Sequence, residues 1–190
     1  MRLRAAYRST DTLRGNARDR IIVRYSAHIR PACVEDFAAI YSINSECLPA
    51  VALLAAGDLD KLVSSAAVAW VAVADQAVVG YLLAYAPGAN YEGEEFGWFR
   101  SRGDQFLYVD QIAVALAHRR RGVGAALYDA IEAFAGRERL ASIACEVNVQ
   151  PPNPGSMSFH VGRGFVEAGG IQTRDGRRVA LLEKQLPKHA

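Results

Sequence analysis

The sequence predicts one α/β domain built on a mixed sheet. From residue 21 onward, strand-like and helix-like segments alternate with no linker between them. One run, "FLYVDQIAV", is nearly continuously apolar, as a strand covered on both faces must be. The 190 residues suffice for one domain and fall short of two of typical size. With 51% hydrophobic and 22% charged residues and a net charge of +2, the composition is that of a soluble globular domain. Such a domain buries enough surface to hold together without disulfide or metal staples.

Each element has its own signal. "IIVRYSAHI" reads as the first strand. "VEDFAAIYSINSECL" spaces Val34, Phe37, Ala38, Ile40 and Tyr41 helically, and "LDKLVSSA" reads as a shorter second helix. "AWVAVADQAVVGYLLAYA" reads as two strands around a tight turn at Asp75-Gln76. Residues 87–105, with four glycines and four aromatics, read as a long loop. Its acidic cluster Glu92, Glu94 and Glu95 suits either a cationic guest or a solvated surface. The strand "FLYVDQIAV" follows, interrupted by Asp110 and Gln111. A helix to Phe134 then carries Val123, Leu127, Ile131 and Phe134 on one stripe, with Gly136 as its stop signal. In "SIACEVNV", Ile143, Cys145 and Val147 share one strand face and Glu146 and Asn148 the other. "PPNP" precedes a short helix, and "RDGR" reads as the turn of a closing hairpin.

Several function classes recede on composition alone. Cys33, Cys47 and Cys145 are odd in number and show no CxxC spacing, which argues against a disulfide framework or a zinc site and for a reducing, cytoplasmic setting. No apolar run approaches the ~18 residues of a spanning helix, and no secretory signal is visible. The first 24 residues hold seven arginines and two aspartates, leaving the remainder at −3. Residues 1–20 are therefore read as a basic extension, with 21–187 as the domain. The negative remainder and the lack of any recognition signature argue against a nucleic-acid binder.

The sharpest signal is "HRRRGVGAAL", His118 to Leu127. The helix that begins there has no Ser, Thr, Asp or Asn to satisfy its first amide hydrogens. Those N–H groups and the helix dipole are left to hold an anion. Gly122 and Gly124 keep side chains out of a ligand's way, while Arg119, Arg120 and Arg121 offer charge and bidentate donors for phosphate oxygens. A Walker A loop would need Lys and Ser or Thr after its last glycine, and a dinucleotide fingerprint would need Gly or Ala at Leu127. Neither fits. The bland alternative is a basic helix start exposed to water.

These residues resemble a known family. Arg119 to Gly124 match the (Q/R)xxGx(G/A) loop of the GNAT superfamily of N-acetyltransferases, with "YVDQIAV" as the preceding strand. Asn153, Ser156, Phe159, His160, Gly164 and Phe165 resemble its "NxxAxxFYxxxGF" pattern, with His in place of Tyr. The resemblance covers roughly residues 21–187. It implies a mixed, mostly antiparallel sheet of about seven strands flanked by helices, with a splayed V between the two central strands. It further implies that Arg119, Arg120, Arg121, Gly122, Val123, Gly124 and Ala125 cradle the pyrophosphate of acetyl-coenzyme A. Ile112, Ala113 and Val114 would bond the pantetheine arm through their backbone, with Asn153 and Ser156 near its thiol end. Asn153-Pro154 is equally an ordinary N-cap pair.

The reaction implied by the resemblance is attack of a primary amine, on a small molecule or peptide, on the acetyl thioester. The partners would be acetyl-coenzyme A and the amine, with no metal, membrane or nucleic acid; homodimers are common in the family, and one is left open here. An alkylamine with a lysine-like pKa near 10.4 must lose a proton first, so a carboxylate in the sheet is expected as base. Glu146 matches the family's glutamate, and Asp110, interrupting a buried strand, is the rival. Either could instead be a structural carboxylate held by backbone or arginine. His160 stands where the tyrosine that protonates the departing thiolate is usual; it would act as that acid or be a structural histidine. The alternative function is a coenzyme A-binding regulatory module without catalysis.

Overall fold

The computed structural model describes residues 27–187; the basic stretch 1–20 and most of the first strand's sequence signal lie outside them. The chain enters as β1 (His28–Pro31) and passes through a 3-10 turn into α1 (Phe37–Glu46) and α2 (Asp58–Ser65). It continues with β2 (Val68–Ala74), β3 (Ala77–Tyr85), α3 (Glu94–Arg100) and β4 (Phe106–Val114). After α4 (Val123–Arg137) come β5 (Ser142–Gln150), α5 (Pro154–Gly162), β6 (Val166–Gln172) and β7 (Arg178–Gln185).

The strands form one seven-stranded sheet in the order β1-β2-β3-β4-β5-β7-β6. Every neighbouring pair is antiparallel except β4 with β5. The β2–β3 turn falls on Asp75 and Gln76, whose φ angles of 50° and 65° are both left-handed. A two-residue hairpin needs that twist to keep its strands together.

Helices cover both faces. On one, α4 lays Leu127, Tyr128 and Ile131 over Leu82, Leu107, Val109, Ile143 and Cys145, each such buried side chain worth about 1.5–3 kcal/mol. On the other, Ile40, Ile43 and Leu59 from α1 and α2 pack on Val71, Tyr81 and Leu83. Beside them Phe96 and Phe99 of α3 pack on Tyr85, Phe106 and Tyr108. No helix among the described residues is long and apolar enough to cross a membrane.

Two expectations need correction. Residues 87–105 are not loop throughout, because Glu94–Arg100 form α3. A seven-residue helix with a glycine inside has little propensity of its own; burial of Phe96 and Phe99 against the sheet supplies what the local sequence lacks. Helix α4 also does not stop at Gly136 but runs to Arg137. Arg139, at φ 56°, takes the left-handed position instead. Arg139 N–H donates to the Gly136 carbonyl and Leu140 N–H to that of Ala135, both at 3.0 Å, which is the Schellman closure.

Candidate active site

Strands β4 and β5 pair only from Phe106 to Val109 and from Ser142 to Cys145. Beyond that point β4 continues against β3 as far as Val114, and β5 against β7 as far as Gln150, with no pairing across the gap. The first residue past the last pair is a carboxylate on each strand, Asp110 and Glu146. Asp110 is also the extra residue of a bulge, since Leu83 and Ala84 of β3 face Gln111 and Val109. A bulge re-aims side chains. Here it lets Asp110 and Gln111 both find partners on the face covered by α1 to α3.

Gln111 is structural. Its Oε1 accepts from Tyr81 Oη at 2.7 Å and from Asn44 Nδ2 at 3.3 Å, and its Nε2 donates to the Ala52 carbonyl at 3.2 Å. Asn44 in turn receives Leu54 N–H at 3.0 Å. This network fixes the segment between α1 and α2 over a cavity of about 120 Å³ lined by Asp110, Glu146, Glu95, Tyr91, Arg177 and Asn153 among others.

Each carboxylate of the split has its own tyrosine. Tyr108 Oη donates to Glu146 Oε2 at 2.5 Å, and Tyr91 Oη donates to Asp110 Oδ1. By surface area both carboxyls are only half-buried, because the cavity reaches them. The sheet and the helices above it nonetheless surround both groups, and desolvation dominates their acidity. Burial, reinforced by the Asp110 charge and relieved by Tyr108, pushes Glu146 up to about 8. Burial lifts Asp110 to about 6; the Tyr91 hydroxyl holds it down, Glu95 raises it and Arg177 lowers it. Arg177 spans the site, meeting Asp175 at 2.7 Å, Asn148 at 3.1 Å and Glu95 at 3.3 Å.

The remaining sequence-predicted residues lie along the split or at its open end. Ile112, Ala113 and Val114 complete β4 there, and the Val114 carbonyl accepts from Arg119 Nε at 3.1 Å. The Arg119 Nη2 also reaches Cys47 Sγ at 3.1 Å. Arg119, Arg120, Arg121 and Gly122 are exposed. Left-handed φ angles at Arg120 (61°) and Gly122 (87°) wind the loop into α4, and no side chain caps that helix. Val123 is buried in the core, and Gly124 and Ala125 are half-buried.

Asn153 caps α5, accepting Ser156 N–H at 3.1 Å, and its Nδ2 donates to the Ala50 carbonyl at 3.4 Å. His160 is 3% exposed. Its Nδ1 lies 2.8 Å from the Ser156 carbonyl, which can only accept, so the ring proton sits there. Nε2 then accepts from Tyr128 Oη at 2.8 Å, and burial lowers the ring's pKa. Tyr91, Glu95 and Arg177 on the cavity wall, and Tyr108 as the donor to Glu146, escape sequence reasoning in these roles. Tyr108 had a signal, since it precedes Asp110 by two in a strand; Arg177 had none.

Residues 37–165 match the acetyltransferase (GNAT) family. The chain belongs to that family. The match takes in the GNAT arginine-glycine loop and both arms of the split. Among solved structures, Ard1 from Thermoplasma volcanium aligns with a TM-score of 0.70 at 19% identity, covering 85% of this chain and 99% of that one. A ribosomal-protein-alanine N-acetyltransferase from Brucella melitensis aligns at 0.65 and 21%, covering 84% and 99%. The putative acetyltransferase yncA from Salmonella typhimurium, solved with acetyl-CoA, aligns at 0.64 and 20%, covering 87% and 96%. At such identities the likeness is one of GNAT fold. No curated protein matches the chain in sequence.

Proposed function

We propose that this GNAT protein transfers an acetyl group from acetyl-coenzyme A to a primary amine of a small molecule or peptide. The observation that carries the reading is the β4–β5 split, with a carboxylate pair at its vertex and an uncapped, arginine-bearing helix start at its open end. The exposed cations Arg119 to Arg121 and the free first amides of α4 suit a pyrophosphate. The unpaired edge of β4 from Ile112 to Val114 suits an extended, amide-bearing arm, and Asn153 and Ser156 stand near the vertex.

The carboxylate pair suits an amine arriving as ammonium. Burial raises both carboxyls, Glu146 the further, and the charge of each disfavours ionisation of the other, so the pair shares a proton between them. The pair takes one proton from the ammonium, and the freed amine attacks the thioester carbonyl. The new C–N bond forms, the C–S bond breaks, and the nitrogen sheds its second proton. The thiolate takes up one proton, so each cycle releases one. A thiol with a pKa of roughly 8.5 is a fair leaving group unaided. His160 spends its one ring proton on the Ser156 carbonyl. In this reading it builds the cavity wall and supplies no proton.

The test is thiol release from acetyl-coenzyme A with a panel of amines, amino acids and short peptides, beside calorimetry of acetyl-coenzyme A binding. Release with one acceptor class, lost in Asp110→Asn or Glu146→Gln, is expected. Binding without release across the panel points to a regulatory module, and no binding at all refutes the reading.

A further inference from the structure

We propose that Tyr91 is a positioning residue that makes Asp110, rather than Glu146, the carboxylate that receives the acceptor's proton. This rests on the acetyl-transfer reading and goes beyond it by assigning the base through a residue outside the sheet.

The two tyrosines at the vertex are seated differently. Tyr108 belongs to β4 and is 1% exposed, deep among Phe96 and Phe99. Tyr91 lies between β3 and α3, half-buried, on the cavity wall. Three contacts fix its ring. It stacks on Tyr85 at 4.0 Å and 11° and meets Phe96 edge-on at 5.5 Å and 80°. Gly93 leaves it a notch, since a β-carbon there would stand 2.9 Å from Tyr91 Cε1. An aromatic held on three sides keeps its hydroxyl at one place, and that place is Asp110 Oδ1.

What faces Asp110 explains why one hydroxyl decides its state. Glu95 of α3 and burial in the sheet disfavour its anion, and Arg177 favours it. Glu146 stands across the split and is disfavoured as an anion by the Asp110 charge. Tyr81 and Tyr85 of β3 are held protonated by burial. The charge of Arg177 is already divided between Asp175 and Glu95, with Asn148 as a third partner. Tyr91 is the donor dedicated to Asp110, and a phenol that donates stabilises the anion and not the acid.

The experiment is a carboxyl ¹³C NMR titration of the unliganded protein, with Asp110 assigned through Asp110→Asn, run on the parent, Tyr91→Phe and Gly93→Ala. Thiol-release pH profiles with an acceptor from the panel accompany it. Tyr91→Phe should move the Asp110 midpoint up by about one pH unit, a tenfold rise in proton affinity. Gly93→Ala keeps the hydroxyl but crowds the ring, and should move it the same way by less. The acid limb of kcat/KM should move with the midpoint, with the parent rate recovered at high pH. An unmoved midpoint in Tyr91→Phe overturns the assignment, as does a loss of rate equal at every pH with a lowered Tm. A parent that releases no thiol overturns the acetyl-transfer reading and the assignment with it. A parent that turns over beside an unshifted Tyr91→Phe overturns the assignment alone.

Discussion

Glu146→Gln replaces a carboxyl whose ionisation the fold opposes. The change keeps an acceptor oxygen for Tyr108 and removes the charge. Burial pushes Glu146 up to about 8 from an ordinary 4.5, so the folded state binds its proton more tightly than the unfolded chain does. Its contribution to stability is therefore fully present below the ordinary carboxylate value and is lost progressively as pH rises toward 8. At about 1.4 kcal/mol per pH unit the loss has a ceiling on the order of 5 kcal/mol. Water entering the cavity and relaxation around the charge reduce that, and about 2 kcal/mol is the expected net effect. In a domain of this size that is about 4–8 °C in Tm. Thermal unfolding of parent and Glu146→Gln at pH 5 and pH 9 reads it directly. The two should melt close together at pH 5, with the Gln protein the more stable at pH 9. Equal melting at both pH values would refute the claim that this carboxyl is held out of water.

Other expectations follow from single contacts. Arg120→Ala should weaken acetyl-coenzyme A binding roughly tenfold, about 1.4 kcal/mol, and flatten its salt dependence in calorimetry, because Arg120 is exposed at the helix start. Asn153→Ala removes the acceptor for Ser156 N–H and should cost about 1 kcal/mol, seen as a lower urea midpoint with an unchanged slope. Gly169→Ala places a β-carbon 2.6 Å from Trp98 Cζ2. It should cost about 1–3 kcal/mol and change tryptophan fluorescence, since the indole must move.

How far the sequence carries a reader depends on whether a feature is local. The Asp75-Gln76 turn, the uncapped helix at Gly122 and the Asn153 cap are each decided within a few residues, and all three appear in the structure where the sequence puts them. The two carboxylates were legible as interruptions in apolar strands. Their meeting at the end of the β4–β5 pairing depends on register between residues 36 apart in sequence. Helix α3 was hidden because its stability comes from the sheet beneath it, and Arg139 because a left-handed arginine carries no compositional mark. Tyr91 was hidden twice, by a bulge that turns Asp110 toward it and by a glycine that serves a neighbour's ring rather than its own backbone.

The short parallel ladder from Phe106 to Val109 has a consequence for cooperativity. Among the described residues it is the only strand pairing that joins β1–β4 to β5–β7, with α4 packed across both. Amide hydrogen exchange should therefore divide into two blocks that open separately, with the seam between them the first ladder to give way. Any molecule lying in the split touches both blocks and acts as a clamp. Its occupancy should slow exchange in strands as distant as β1 and β6, which it never contacts.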